Sequence, residues 1–163
     1  MIRPATEDDL SALTQIYNQA IDQGFITAHI NHVTRDERME WLENHPAEEF
    51  PIYVFEQNGN ILGWASISAY RQGRKALDEV AEISFYVDFN HHGKNIGSKL
   101  TAFCLKKAPV LNKRILFAIV IEGNEESISL LKKFGFEEWG YLPEVIKFQG
   151  EIRSHIYMGK ILN

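Results

Sequence analysis

The chain has 163 residues, with 17 Lys and Arg against 22 Asp and Glu and a net charge of −5, so it fits the usual span of one domain, 1–163, and lacks the positive field of a general nucleic-acid binder. Its 45% hydrophobic and 24% charged content excludes disordered and collagen-like chains, and a chain this long can bury roughly two-thirds of its unfolded surface without staples. One cysteine, Cys104, excludes an internal disulfide framework; with no apolar signal-peptide stretch, and no apolar run near the ~20 residues of a membrane helix, it predicts a cytoplasmic protein.

In chain order, Thr6-Glu-Asp-Asp opens a helix, with three acids at the positive end of its dipole. Leu10, Leu13, Ile16, Tyr17, Ala20 and Ile21 then give one apolar face. Thr34-Arg-Asp-Glu37 is a capping box for a second helix carrying Met39, Trp41 and Leu42. Pro51–Glu56 and Ile61–Ser68 read as strands joined by Gln57-Asn58-Gly59-Asn60, whose Asn-Gly pair suits a tight antiparallel hairpin. Val80–Val87 is a third strand, with Glu82, Ser84 and Tyr86 on one face and Ile83, Phe85 and Val87 on the other. A short polar loop leads into a helix bearing Ile96, Leu100, Phe103 and Cys104. Ile115–Ile121 is the continuous apolar run of a strand covered on both faces. Asn124 caps a further helix that Gly135 stops, and Phe136–Leu142 and Arg153–Ile161 close the chain as strands. The order ααβββαβαββ predicts an α/β (α+β) domain on one mixed, mostly antiparallel central sheet flanked by helices.

Chemistry concentrates at the third strand, its loop and the helix that follows. Gly93 and Gly97 let an anion approach the backbone where the first amides of a helix lack internal partners. Gly93-Lys-Asn-Ile-Gly97-Ser98-Lys99 is one residue short of a P-loop, with Ser and Lys reversed, and the dinucleotide glycine spacing is absent. A turn without a ligand is the alternative. The six histidines make no metal motif, and Cys104 on an apolar helix face reads as a buried structural thiol.

Strand, glycine loop and helix, then a buried strand, Asn124-Glu-Glu-Ser127 and Lys133-Phe-Gly135-Phe136, form a pattern that resembles the GNAT superfamily of acetyl-CoA-dependent N-acetyltransferases. Ile2-Arg-Pro-Ala-Thr-Glu-Asp-Asp-Leu, Ile16-Tyr-Asn, Arg38-Met-Glu-Trp41-Leu, Gly63-Trp-Ala-Ser and Ala81-Glu82-Ile-Ser-Phe-Tyr-Val87 are similar to its phosphinothricin acetyltransferase branch, over essentially the whole chain. The resemblance implies the GNAT acyl-CoA acyltransferase fold and acetyl-CoA as co-substrate, with no metal. It places the pantetheine arm on Phe85, Tyr86 and Val87, the pyrophosphate on the amides of Gly93, Lys94, Asn95, Ile96, Gly97 and Ser98, and a further cofactor contact at Asn124.

Glu82 is the expected base. An amine arrives largely as ammonium, and a carboxylate beside the cofactor strand can take its proton through water if burial raises the pKa. A solvated or paired strand glutamate is the alternative. Arg71 and Arg74 are expected to hold a substrate carboxylate or phosphinate, against the reading of two solvated loop arginines. Four departures stand out: His92 where Arg or Gln is usual, Asn95 where the first glycine is usual, Leu131 where relatives carry the acid-bearing Tyr or His, and Ser154 near a usual acidic position. Tyr141, Tyr157 or unaided departure of the thiolate remain open for the acid step. The function implied is transfer of acetyl to the primary amine of a small amino-acid-like substrate of the phosphinothricin or methionine-sulfone type, without nucleic acid or membrane as partner. A non-catalytic acyl-CoA sensor and a protein or peptide N-terminal acetyltransferase are the rivals, and a homodimer stays open.

Overall fold

The computed structural model describes residues 1–162. Seven strands form one sheet, in the spatial order β1-β2-β3-β4-β5-β7-β6: β1 (Ile2–Pro4), β2 (Ile52–Gln57), β3 (Asn60–Ala69), β4 (Val80–Val87), β5 (Ile115–Ile121), β6 (Glu137–Phe148) and β7 (Glu151–Ile161). Every neighbouring pair is antiparallel except β4 and β5, as the mixed, mostly antiparallel expectation has it. Four α-helices pack on the sheet: α1 (Leu10–Gln23), α2 (Arg35–Glu43), α3 (Ile96–Lys107) and α4 (Glu125–Lys133).

The two faces hold separate cores. α3 and α4 cover one face, where Tyr53, Ala65, Ile83, Leu116 and Met158 pack with Leu100, Cys104 and Leu131. α1 and α2 cover the other, packing Leu13, Tyr17 and Ile21 on Ile52, Val54 and Trp64. That second cover rests on β2–β4 and leaves the same face of β5, β7 and β6 open, with Trp139 and Leu142 exposed. Cys104 is fully buried, and burial pushes its thiol up to about 12.

Local chemistry explains most element ends. Both halves of the Thr34 capping box form, Glu37 N–H donating to Thr34 Oγ1 at 3.2 Å and Thr34 N–H donating to Glu37 Oε2 at 2.6 Å. Asn58 and Gly59 both take positive φ (53° and 78°), the twist a two-residue hairpin needs. Asn124 Oδ1 caps α4 by accepting from Ser127 N–H at 3.2 Å.

Three expectations at the chain's ends change. Strand β1 was not expected. It is three residues long, and Arg3 anchors it through Asp9 (2.7 Å) and Glu56 (2.7 Å). Glu7–Asp9 is a short 3-10 turn, so α1 begins at Leu10. The last hairpin is longer than Phe136–Leu142 and Arg153–Ile161, because Gln149 and Gly150 (φ 48° and 88°) turn tightly between β6 and β7. Pro143 is tolerated because β6 is an edge strand whose register shifts between Leu142 and Ile146.

Candidate active site

A cleft opens where β4 and β5 part. Their parallel pairing covers Val80↔Ile115, Ala81↔Leu116 and Glu82↔Phe117 and goes no further. Beyond it β4 stays with β3, while β5 follows β7 to Ile121. Asp88 N–H donates to Leu62 O at 3.0 Å, so by alternation Ser84 and Tyr86 direct their backbone groups to β3, and Ile83, Phe85 and Val87 turn theirs into the gap. Of the three strand residues expected to meet a cofactor arm, Phe85 and Val87 therefore offer backbone groups, whereas those of Tyr86 face Trp64 on β3. Tyr86 still lines the cleft.

At its wider end the cleft is bounded by the loop and first turn of α3, including Gly93, Asn95–Ser98, Asn124 and Ser127. Gly93 has φ 75° with open space around it, and Asn95 has φ 60°, in the left-handed region that asparagine tolerates better than most residues. A Cβ on Gly97 would lie 3.3 Å from Leu130 Cδ2, so glycine keeps the helix end close to α4. His92 does not point outward as a free cation: its Nε2 donates to the Val87 carbonyl at 3.0 Å, and its Nδ1 is 3.6 Å from Glu126. Lys94 donates to Asn90 O at 3.4 Å, and Lys99 lies over the Phe55 ring at 5.3 Å. Positive potential here comes chiefly from amides at the end of α3, which suits an oxyanion such as pyrophosphate.

At the narrow end stands Glu82. It is half-buried, and burial raises its pKa above the ordinary carboxylate value, with the Ser84 hydroxyl acting in the opposite sense. Directly across the ladder is Ser68, whose Oγ lies 2.9 Å from His45 Nε2. His45 Nδ1 donates to Trp41 O at 2.6 Å, so its Nε2 is left to accept, and burial holds the ring below its usual pKa. On the β5 side, Phe117 packs with Tyr70 (5.0 Å), Trp139 (5.4 Å) and Tyr157 (6.2 Å). Glu82 thus sits on the border between the half of the face that α1 and α2 cover and the open aromatic half.

The two tyrosines open for the acid step, and the positions where the sequence departs from the family, separate. Leu131 is fully buried in the core. The Tyr141 hydroxyl donates to Glu122 at 3.0 Å. Tyr157 lies within the field of Glu82: burial first, then Tyr70 and Glu82, raise its pKa. Ser154 is buried, and its Oγ accepts from Glu144 N–H at 3.2 Å. Arg71 and Arg74 are exposed in the loop before β4. Among the described residues no three metal-ligating side chains gather, and no helix is long and apolar enough to cross a membrane.

Arg38, His45 and Ser68 were not foreseen as site residues. Arg38, Trp41, Leu42 and His45 recur at i, i+3, i+4 and i+7, so the spacing itself places Arg38 on the apolar face of α2 and His45 in line with it, just past the helix end.

A family model described as "Acetyltransferase (GNAT) domain" matches residues 2–156. YwnH of Bacillus subtilis strain 168, named as a candidate phosphinothricin acetyltransferase, is 39% identical over 163 residues, covering 99% of each chain. The L-methionine sulfoximine/L-methionine sulfone acetyltransferase of Salmonella typhimurium is 32% identical over 148 residues, 90% of this chain and 86% of its own. YncA, a candidate acetyltransferase from Salmonella typhimurium solved with its cofactor acetyl-CoA, superposes with a TM-score of 0.94 at 29% identity, covering 100% of this chain and 94% of its own.

Proposed function

The chain belongs to the GNAT acetyltransferase family, and we propose that residues 1–163 form one cytoplasmic N-acetyltransferase unit that moves acetyl from acetyl-CoA to the primary amine of a small amino-acid-like acceptor. That the Salmonella typhimurium relative is an L-methionine sulfoximine/L-methionine sulfone acetyltransferase supports the acceptor class. One observation carries the mechanism: the strand pairing ends at Glu82↔Phe117, so the raised carboxyl stands at the vertex of the cleft whose walls offer unpaired amides.

The residues present fit acetyl-CoA as a substrate. Backbone groups of Phe85 and Val87 would pair with the pantetheine amides, and the amides of Gly93, Lys94, Asn95, Ile96, Gly97 and Ser98 would take the pyrophosphate. Asn124 uses Oδ1 as a helix cap, which leaves its Nδ2 to reach the cofactor. Val87, its carbonyl already taken by His92, would give its N–H to the pantetheine arm, and a gap-facing main-chain amide of β4 nearer Glu82 would polarise the thioester carbonyl. Glu82 would accept the ammonium proton through water, so that the freed amine can form its bond to the thioester carbon as the C–S bond breaks, the second amine proton passing to the departing CoA thiolate. Arg71 and Arg74 at the rim would draw in an anionic group of the acceptor.

The test is thiol release from acetyl-CoA with free amino acids, their sulfone and phosphinate analogues, and short peptides. Turnover on free amino acids, lost in E82Q with acetyl-CoA binding retained, is the expected result. Undiminished turnover in E82Q removes Glu82 as base. Turnover on peptides alone, or CoA binding without turnover on any amine, replaces the acceptor class or the enzyme reading respectively.

A further inference from the structure

We propose, on the premise that the acceptor is a free amino acid, that Arg38 holds its carboxylate. Arg3, Arg35, Arg114 and Arg153 each find a carboxylate within 3.5 Å. All are more exposed than Arg38, which is only 6% exposed and pairs with none among the described residues. Its Nε is buried without a hydrogen-bonding partner. Glu37, adjacent in sequence, directs Oε2 to Thr34 N–H (2.6 Å) and Oγ1 (3.0 Å).

Aromatic faces hold the guanidinium in place: Tyr17 at 3.9 Å, Trp41 at 4.6 Å and Trp64 at 5.3 Å from its central carbon to the ring centroids. Such stacking offsets part of the cost of burying a cation, yet it satisfies none of the N–H donors, which lie in the plane of the group. A buried charge without a counter-ion is costly, so a planar oxyanion that enters beside it gains an unusually strong, bidentate partner. There is room for one. A cavity at Arg38 is bounded by Ala28–Val33, Glu37 and Trp41, and Ile26, two residues before that segment, lines the cofactor cleft.

Arg38 also shares a sheet face with Glu82. Trp64, under the guanidinium, lies opposite Tyr86, and Ser68 lies opposite Glu82. These rows are four residues apart, roughly 13 Å along the strand. An α-amino acid with its carboxylate on Arg38 and its amine toward Glu82, plus one relaying water, spans that order of distance. The rows are bridged by Trp41, which packs on Trp64 (5.2 Å) and on His45 (4.7 Å), the ring that bonds Ser68.

The test compares L-methionine sulfone with its decarboxylated analogue, 3-(methylsulfonyl)propylamine, in wild type and R38Q. We expect the KM of R38Q for the amino acid to rise about 100-fold, the size of a lost charge-assisted pair. The KM for the decarboxylated amine should stay within about threefold, and that for acetyl-CoA should not move. Equal losses on both amines, or an unchanged KM for the amino acid, overturn the assignment. If R38Q does not fold, tryptophan emission in W139F decides, because Trp41 and Trp64, both stacked on Arg38, are then the remaining indoles. The amino acid should change that emission and the decarboxylated amine should not; equal responses overturn the assignment. A wild type that acetylates simple amines but no free amino acid removes the premise and the inference together. A wild type that prefers the amino acid while R38Q keeps its KM removes Arg38 alone.

Discussion

The two ends of the cleft are built from different materials. At the α3 end, the groups facing the gap are mostly main-chain amides of Phe85, Val87 and residues 93–98, set by strand pairing and by the left-handed turns at Gly93 and Asn95. At the Glu82 end the groups are side chains, with Ser68, Phe117 and Tyr157 around Glu82 from β3, β5 and β7 and, four residues along the strand over Trp64 and Tyr86, Tyr17 and Arg38 from α1 and α2. A backbone cradle depends on a few dihedral angles and tolerates side-chain change. A side-chain pocket changes with any one of its residues, so single substitutions there should alter which acceptor is taken.

That contrast predicts that damage at one end leaves the other intact. The largest effect belongs to Glu82. E82Q should lower kcat at least about 100-fold, the usual contribution of a positioned base, while the KM for acetyl-CoA holds; steady-state kinetics on both substrates checks this. A joint rise in the acetyl-CoA KM would break the division. Next comes Leu131, which separates core from chemistry. Leu131→Ala should cost about 3 kcal/mol in denaturant unfolding through the cavity it leaves, with the pH profile of the surviving activity unmoved.

At the cradle, N95A forces alanine into the left-handed region and should cost about 1–2 kcal/mol of stability. It should also raise the KM for acetyl-CoA, while N95G does neither and the acceptor KM is constant in both. Activity against pH gives a finer test. Because burial raises Glu82, kcat/KM should climb with pH through an inflection above the ordinary carboxylate range, and a profile flat across that range would overturn the base assignment. The smallest effect is on stability. The folded state holds the Glu82 proton more tightly than the unfolded chain, so wild type should lose stability as pH rises from the ordinary carboxylate range through the raised value. In E82Q that loss should vanish.

The difference in materials also explains what could be read from the chain. The Asn58-Gly59 hairpin, the Thr34 box and the Asn124 cap are short-range devices, and each forms where its residues predict. Strand β1 is invisible locally because three residues hold no period; its place is set by Arg3 reaching Asp9 and Glu56, contacts distant in sequence or beyond the strand. The parting of β4 and β5 is a tertiary event that no periodicity announces; the family resemblance points only to the residues that line it. Arg38 shows the opposite failure: its helical spacing is plain, but arginine among apolar positions reads as solvated until the aromatic rings around it are known. His45 and Ser68 meet across 23 residues, a separation at which no pattern in the sequence speaks.

The buried thiol has a practical consequence. Cys104 is the chain's one cysteine, fully enclosed and with its thiolate strongly disfavoured. A colorimetric thiol reagent added to the folded protein should therefore count only liberated CoA, giving turnover assays a blank free of protein sulfur. When the α3 face of the core comes apart, the same atom becomes reactive at once. Its labelling rate is then a stopwatch for opening, and it lets stability and catalysis be followed with one chemistry in one cuvette.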